Sequence, residues 1–269
     1  FTPTDLAMRQ IRLFSFVSLI VLLFSYPVLA LANQTIVTVN TVVGSFDILM
    51  LEDDAPATVQ NFLNYVSDGD FDGTFFHRSV PGFVVQGGGY RFDPTTGGAP
   101  AIDSDPPVVN EFGISNTRGT VAMAKLGGDP NSATNEWFVN LANNSGNLDN
   151  QNGGFTVFGR VIGNGMQVVD AIAALPRFNF GSPFDSTPTI NYVNAVTADI
   201  FVNVTSIRAT TLIDTDGDGI VDRDDLDDDN DTVPDSIDAF PLDETEAVDT
   251  DGDGIGNNED TDDDGDDGD

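Results

Sequence analysis

Phe76-His77-Arg78-Ser79-Val80-Pro81-Gly82-Phe83-Val84-Val85-Gln86-Gly87-Gly88 is the stretch on which the reading of this chain turns. It sets a histidine and an arginine ahead of a Pro-Gly turn, followed by an apolar run, a glutamine and two glycines. His77 is the only histidine in the 269 residues. A lone histidine supports neither a metal cluster nor a hydrolase triad. Gly87-Gly88-Gly89 leads into Tyr90-Arg91-Phe92-Asp93-Pro94 and opens no helix, so it is not a phosphate-binding loop.

Outward from this stretch the chain alternates between short apolar runs and turn residues. Thr35-Ile36-Val37-Thr38-Val39 has the polar-apolar alternation of a half-buried strand, and Phe46-Asp47-Ile48-Leu49-Met50-Leu51 follows as a hairpin partner. Asp54-Ala55-Pro56 has the chemistry of a helix start. Val59, Phe62, Leu63 and Val66 then fall on one face of a helix over 57–67, which Gly69 ends. Downstream, Thr120-Val121-Ala122-Met123, Trp137-Phe138-Val139 and Thr156-Val157-Phe158 are separated by Gly, Pro and Asn, which predicts a many-stranded barrel or sandwich with long loops. A second helix is predicted over 165–175, with Met166, Val169, Ile172 and Ala173 on one face. Residues 176–194 show no period and read as loop, and 198–204 reads as a closing strand. On pattern alone Phe83, Met123 and Phe138 are core residues and Arg78 is a surface charge.

The run Phe76 to Gly88 resembles the signature of the cyclophilins, and the resemblance extends from about Thr35 to Ala209. Thr120 to Ala124 is similar to the family's strand bearing a pocket methionine, and Asn131 to Val139 to its segment bearing a pocket phenylalanine. Asn147-Leu148-Asp149 and Phe155 to Val161 follow in the family's order, closest in style to its exported bacterial branch. The resemblance implies an eight-stranded antiparallel barrel capped by two helices, acting as a peptidyl-prolyl cis-trans isomerase without a cofactor. Its substrates are then polypeptides containing X-Pro bonds. The implied roles are catalysis by Arg78 supported by Gln86, and a proline slot of Phe83, Met123, Phe138 and Leu148 with His77 at its edge. Three residues depart from the family: Glu136 stands for a glutamine, Asn147 for an aromatic and Phe155 for a histidine. A carboxylate at 136 is placed to compete for Arg78. If it does, the barrel is a weakly active module that holds proline peptides, and a surface adhesion role is the remaining alternative.

These residue types suit the chemistry. Rotating an X-Pro bond costs ~18–20 kcal/mol of amide resonance. The twisted transition state restores a lone pair to the prolyl nitrogen, and a guanidinium aimed at it stabilises the twisted form over the planar one. Lysine lacks the planar fork for this.

The charge is segregated. The net charge is -34, of which -25 lies in the 56 residues from Asp214 to Asp269. A polyanion of this kind repels nucleic acid and anionic lipid and attracts cations. Asp214, Asp216, Asp218, Asp222 and Asp225 stand at positions 1, 3, 5, 9 and 12 of an EF-hand-like loop, with Gly219 at position 6. Asp249, Asp251, Asp253 and Asp260 repeat the pattern 35 residues later, and weaker copies begin at Asp227 (with Asp229 and Asp231) and Asp262. The pattern resembles thrombospondin type 3 repeats, which implies bound Ca2+; oxygen ligands at this spacing suit calcium rather than zinc. The last copy stops mid-repeat, so the natural chain is expected to continue.

There is no cysteine, which excludes disulfides and thiolate metal sites. Arg9 and Arg12 precede a charge-free run from Leu13 that ends in Ala30-Leu31-Ala32. This reads as a signal peptide, with Met8 as initiator and cleavage near Asn33. The Tyr26-Pro27 break favours cleavage over an uncleaved anchor. The expected organisation is a leader over 1–32, an isomerase domain over 33–209 and calcium-binding repeats over 210–269. The protein is expected to be exported to the periplasm, cell surface or medium, with no membrane span left after cleavage.

Overall fold

The structure is a computed structural model that describes residues 34–218 and 220–265. The leader over 1–32 and Gly219 of the first acidic loop lie outside the described residues.

The chain opens with the expected hairpin of β1 (Gln34–Thr41) and β2 (Gly44–Met50). Val37, Val39, Phe46 and Ile48 point inward and are buried. Helix α1 (Pro56–Asp68) follows and ends at Gly69, whose φ of 75° is left-handed. It starts at Pro56, as Asp54-Ala55-Pro56 predicts, but no side chain at the helix start caps it. Instead the Glu111 carboxylate, brought in from a distant loop, accepts the N–H groups of Ala57 (3.1 Å) and Thr58 (2.8 Å) and the Thr58 hydroxyl (2.7 Å). An anion there satisfies the orphan donors of the first turn.

Next come β3 (Arg78–Val80), β4 (Val84–Gly87), β5 (Thr120–Met123), β6 (Trp137–Asn140), the one-turn α2 (Ser145–Leu148), β7 (Val157–Val161) and α3 (Gly165–Ala174). A two-residue ribbon, β8 (Arg177–Phe178) with β9 (Thr187–Pro188), interrupts the 176–194 loop. The last strand is β10 (Val204–Leu212). The strands other than β8 and β9 form one eight-stranded antiparallel sheet in the order β10-β1-β2-β7-β5-β6-β4-β3. Its two ends meet. Gly73 N–H donates to the Val204 carbonyl (2.8 Å) and Phe76 N–H to the Val202 carbonyl (3.1 Å), so the sheet curls onto itself and its edges are paired.

The closing strand sits later than the sequence suggests. Ala198–Ile200 is a 3-10 turn, stapled by Asn203 Nδ2 donating to the Ala198 carbonyl (2.7 Å), and the strand itself begins at Val204 and runs to Leu212. Phe62 on α1 anchors the core, packing on Phe71 (5.2 Å), Phe158 (4.9 Å) and edge-on against Trp137 (5.9 Å). Helix α1 lies against β10 and β7, and α3 against β2, so the opposite face of β4, β5 and β6 is left to form a groove. Among the described residues no helix is long and apolar enough to cross a membrane.

Candidate active site

Strands β4, β5 and β6 each bury both faces, and their alternation sorts side chains between two apolar clusters. Met123 and Trp137 are paired across β5 and β6 and point into the main core. Their neighbours Ala122 and Phe138, also paired, point the other way, onto Val84, Leu148 and Val157. A groove of about 210 Å³ opens over this second cluster, lined by Arg78, Phe83, Gln86, Phe138, Leu148 and Phe155 among others. Phe138 and Phe155 meet at 5.9 Å, edge to face. An apolar slot of this size suits a proline ring.

The rim of the slot is held from beneath by buried amides. Asn144 Nδ2 donates to the Phe83 carbonyl (2.8 Å) and to Asn140 Oδ1 (2.7 Å). Asn140 donates to Asn116 Oδ1 (3.2 Å), and Asn116 donates to the Phe155 carbonyl (2.9 Å). A buried network this well satisfied fixes the loops that carry Phe83 and Phe155.

Arg78 and Gln86 are register partners across β3 and β4. Arg78 Nη1 donates to Gln86 Oε1 at 3.2 Å, and Gln86 Nε2 donates to Glu136 Oε2 at 2.7 Å. Glu136 does not divert the guanidinium: among the described residues it pairs with His77, whose Nε2 lies 3.2 Å from the same oxygen. Burial pushes the Glu136 carboxyl up, but the hydrogen bond and charge of His77, with donors from Gln86 and Tyr90, outweigh it and hold the group below the usual carboxylate range. Arg78 is thus partly exposed at the groove mouth and steered by an amide rather than neutralised by a carboxylate.

Two expectations for the site need correction. Met123 does not line the slot. Strand alternation turns it into the core, where it is 1% exposed, and the small Ala124 stands at the groove in its place. His77 does not sit at the groove edge either. It is buried behind Glu136, with its ring edge-on to Tyr90 (4.9 Å) and Nδ1 without a partner. Asn147 is exposed and accepts from Gln151 Nε2 (2.6 Å), so it adds nothing to the slot wall.

Lys125 is a groove residue that the sequence reading missed. Its Nζ donates to Asn110 Oδ1 (3.0 Å) and to the carbonyls of Asn152 (2.9 Å) and Gly154 (2.5 Å), and lies 4.8 Å from the Phe155 ring centre. Burial keeps its pKa below that of an ordinary lysine. The two-residue period of β5 continued past Met123 brings Ala124, not Lys125, to the groove, so local alternation gives no sign of the lysine. Of the glycines, Gly88 is constrained twice over: its φ is 93°, and a side chain would meet the Trp137 ring at 2.7 Å.

Beyond β10, Asp214, Asp216 and Asp218 bring carboxylate oxygens within 4.8 Å of one another, as do Asp227, Asp229 and Asp231, and Asp249, Asp251 and Asp253. Asp222 is not among them and accepts from the Thr215 N–H (2.9 Å) and hydroxyl (3.0 Å). Asp225 and Asp260 likewise accept neighbouring backbone N–H groups, from Leu226 (2.6 Å) and Asp262 (2.8 Å). One oxygen each of Asp227, Asp229 and Asp238 is buried without a hydrogen-bond donor. Burial and the charges of Asp235, Asp222, Asp225 and Asp229 push Asp228 up to about 6. Oxygen-only donors with orphaned buried carboxylates fit a hard divalent cation.

Comparison with known proteins bears on the family of the chain. A family model described as cyclophilin type peptidyl-prolyl cis-trans isomerase/CLD matches residues 36–195. The chain is 38% identical over 167 residues to peptidyl-prolyl cis-trans isomerase A of Dickeya dadantii, covering 61% of this chain and 83% of that protein. It is 41% identical over 155 residues to an Acinetobacter baylyi peptidyl-prolyl cis-trans isomerase (56% and 78%). It is 42% identical over 142 residues to peptidyl-prolyl cis-trans isomerase B of Escherichia coli (51% and 82%). A solved Cryptosporidium parvum cyclophilin type isomerase overlays with a TM-score of 0.49 at 21% identity, over 66% of this chain and 98% of its own.

Proposed function

The chain belongs to the cyclophilin-type peptidyl-prolyl cis-trans isomerases, and from that premise we propose that it is an exported foldase whose acidic tail binds calcium. The observation that carries the reading is Arg78, held by Gln86 at the mouth of an apolar slot. The proline ring enters between Phe83, Phe138, Leu148 and Phe155, and the residue before it rotates outside. As amide resonance is lost, the prolyl nitrogen gains a lone pair, and the Arg78 guanidinium donates to it. The bond is made only in the twisted form, so it lowers the barrier rather than the ground state. No covalent bond to the protein forms and no cofactor takes part.

Export rests on Arg9, Arg12 and the apolar run that ends in Ala30-Leu31-Ala32. Calcium rests on the three aspartate groups and on the orphaned oxygens of Asp227 and Asp229, with Asp214 and Asp229 the most enclosed of the ligands at 4% and 5% exposure. Bound calcium would supply the cross-links that the cysteine-free, core-poor tail lacks. The test is the refolding of a periplasmic protein limited by a slow proline phase, with the chain secreted from a bacterial host. The expected result is a faster slow phase and a mature N-terminus near Asn33. An unchanged slow phase would remove the foldase reading, and a chain retained in the cytoplasm with its leader intact would remove export.

A further inference from the structure

The carboxylate at position 136 does something other than compete for Arg78. A glutamine side chain can present its amide either way round, and only one way is useful here. If Gln86 turned its nitrogen toward Arg78, two donors would face each other and the guanidinium would be pushed off the slot. A carboxylate has no hydrogen to give, so it accepts the Gln86 nitrogen and forces the oxygen toward Arg78. The observed distances have this polarity: Gln86 Nε2 to Glu136 Oε2 is 2.7 Å, and Arg78 Nη1 to Gln86 Oε1 is 3.2 Å.

The arrangement around Glu136 keeps it in that role. His77 holds Oε2 from the buried side at 3.2 Å. Gly89 leaves the space, since a side chain there would come within 2.6 Å of Glu136 Cγ. Among the described residues Arg78 forms no ion pair, and it is joined to Glu136 by hydrogen bonds through Gln86 rather than directly.

We propose that Glu136 is a positioning residue that fixes the Gln86 amide and, through it, aims the Arg78 guanidinium at the prolyl nitrogen. The proposal rests on the isomerase reading of the groove. It is tested by measuring kcat and KM for cis-trans exchange of a short X-Pro peptide by NMR, using the full chain. Glu136→Ala is expected to lower kcat about tenfold, the size of one charge-assisted hydrogen bond, with KM changed by less than about twofold. On a Gln86→Ala background the same change is expected to cost nothing further, because the relay is already cut. Glu136→Gln keeps an acceptor for Gln86 and is expected to recover activity to within about threefold of wild type. The Arg78 guanidinium resonances, distinct in wild type, are expected to average in Glu136→Ala; if that variant folds poorly, the same averaging is expected in Gln86→Ala and none in Glu136→Gln. A full Glu136→Ala loss on the Gln86→Ala background would overturn the relay. So would unchanged kcat in Glu136→Ala, or Glu136→Gln as impaired as alanine. A wild type that does not accelerate exchange at all would instead remove the isomerase reading itself.

Discussion

Arg78 is a charge at the mouth of an apolar slot, and its value lies in shape as well as sign. Arg78→Lys keeps the charge but loses the planar fork that Gln86 holds at 3.2 Å. Peptide exchange is expected to fall by about tenfold or more, with peptide affinity little changed. Retained activity would mean that charge alone suffices. Met123 gives the opposite prediction. It is 1% exposed on the core side of β5, so Met123→Leu is expected to cost less than about 1.5 kcal/mol of stability and leave KM unchanged. A large change in KM would put the methionine back in the slot. The two residues also show what could be read before the fold was known. Arg78 and Gln86 are fixed by their place in a contiguous motif. Met123 was carried over from the family as a pocket residue, whereas its own strand's period of two, applied with Ala122 paired to Phe138, turns it inward. Lys125 and His77 were out of reach for another reason: their roles depend on partners more than twenty-five residues away in sequence, at Asn152 and Glu136.

Elements were readable where a period had room to repeat. The hairpin, α1 and α3 all emerged from their apolar spacing, while β3 and α2, at 3 and 4 residues, are too short to show one. The start of α1 was legible in Pro56, but the anion on its first turn comes from residue 111, which no local pattern reveals. Glu111→Ala leaves three donors of the first turn unsatisfied and is expected to cost about 1–2 kcal/mol, read as a lower midpoint in urea at constant slope. An unchanged midpoint would show that water replaces the carboxylate at no cost. The seam of the barrel carries a pH dependence. Arg208 donates to Asp72 (2.8 Å), which also accepts the Ile207 N–H (3.1 Å), and these bonds hold the Asp72 pKa below the usual carboxylate value despite some burial. A depressed folded-state pKa gives stability that is present above the unfolded value and lost as pH falls through the folded one. Asp72→Asn is therefore expected to lower the thermal midpoint slightly at pH 7, the pair being exposed, and to converge on wild type as pH falls through the depressed Asp72 pKa. A difference that persists in acid would assign the effect to packing.

At the scale of the molecule, the chain divides its work by charge. The barrel region is mildly acidic and carries a conventional core, whereas the tail holds -25 in 56 residues and offers almost no apolar interior; Leu226 and Ile237 are 80% and 75% exposed. The tail is expected to need calcium to be compact. Millimolar calcium should reduce the radius of gyration of the chain in X-ray scattering, and chelation should reverse the change. A radius indifferent to calcium would leave the tail a solvated polyanion. The barrel's catalysis needs no ion, so exchange of a short peptide should proceed at the same rate in calcium and in chelator. That rate also tests the role of Arg78 most directly. Cis-trans exchange of an X-Pro tetrapeptide, followed by NMR with wild type and Arg78→Ala, should show acceleration by the first and a loss of about 10²–10³-fold in the second, the scale of one preorganised transition-state donor. Equal acceleration by both proteins would contradict it.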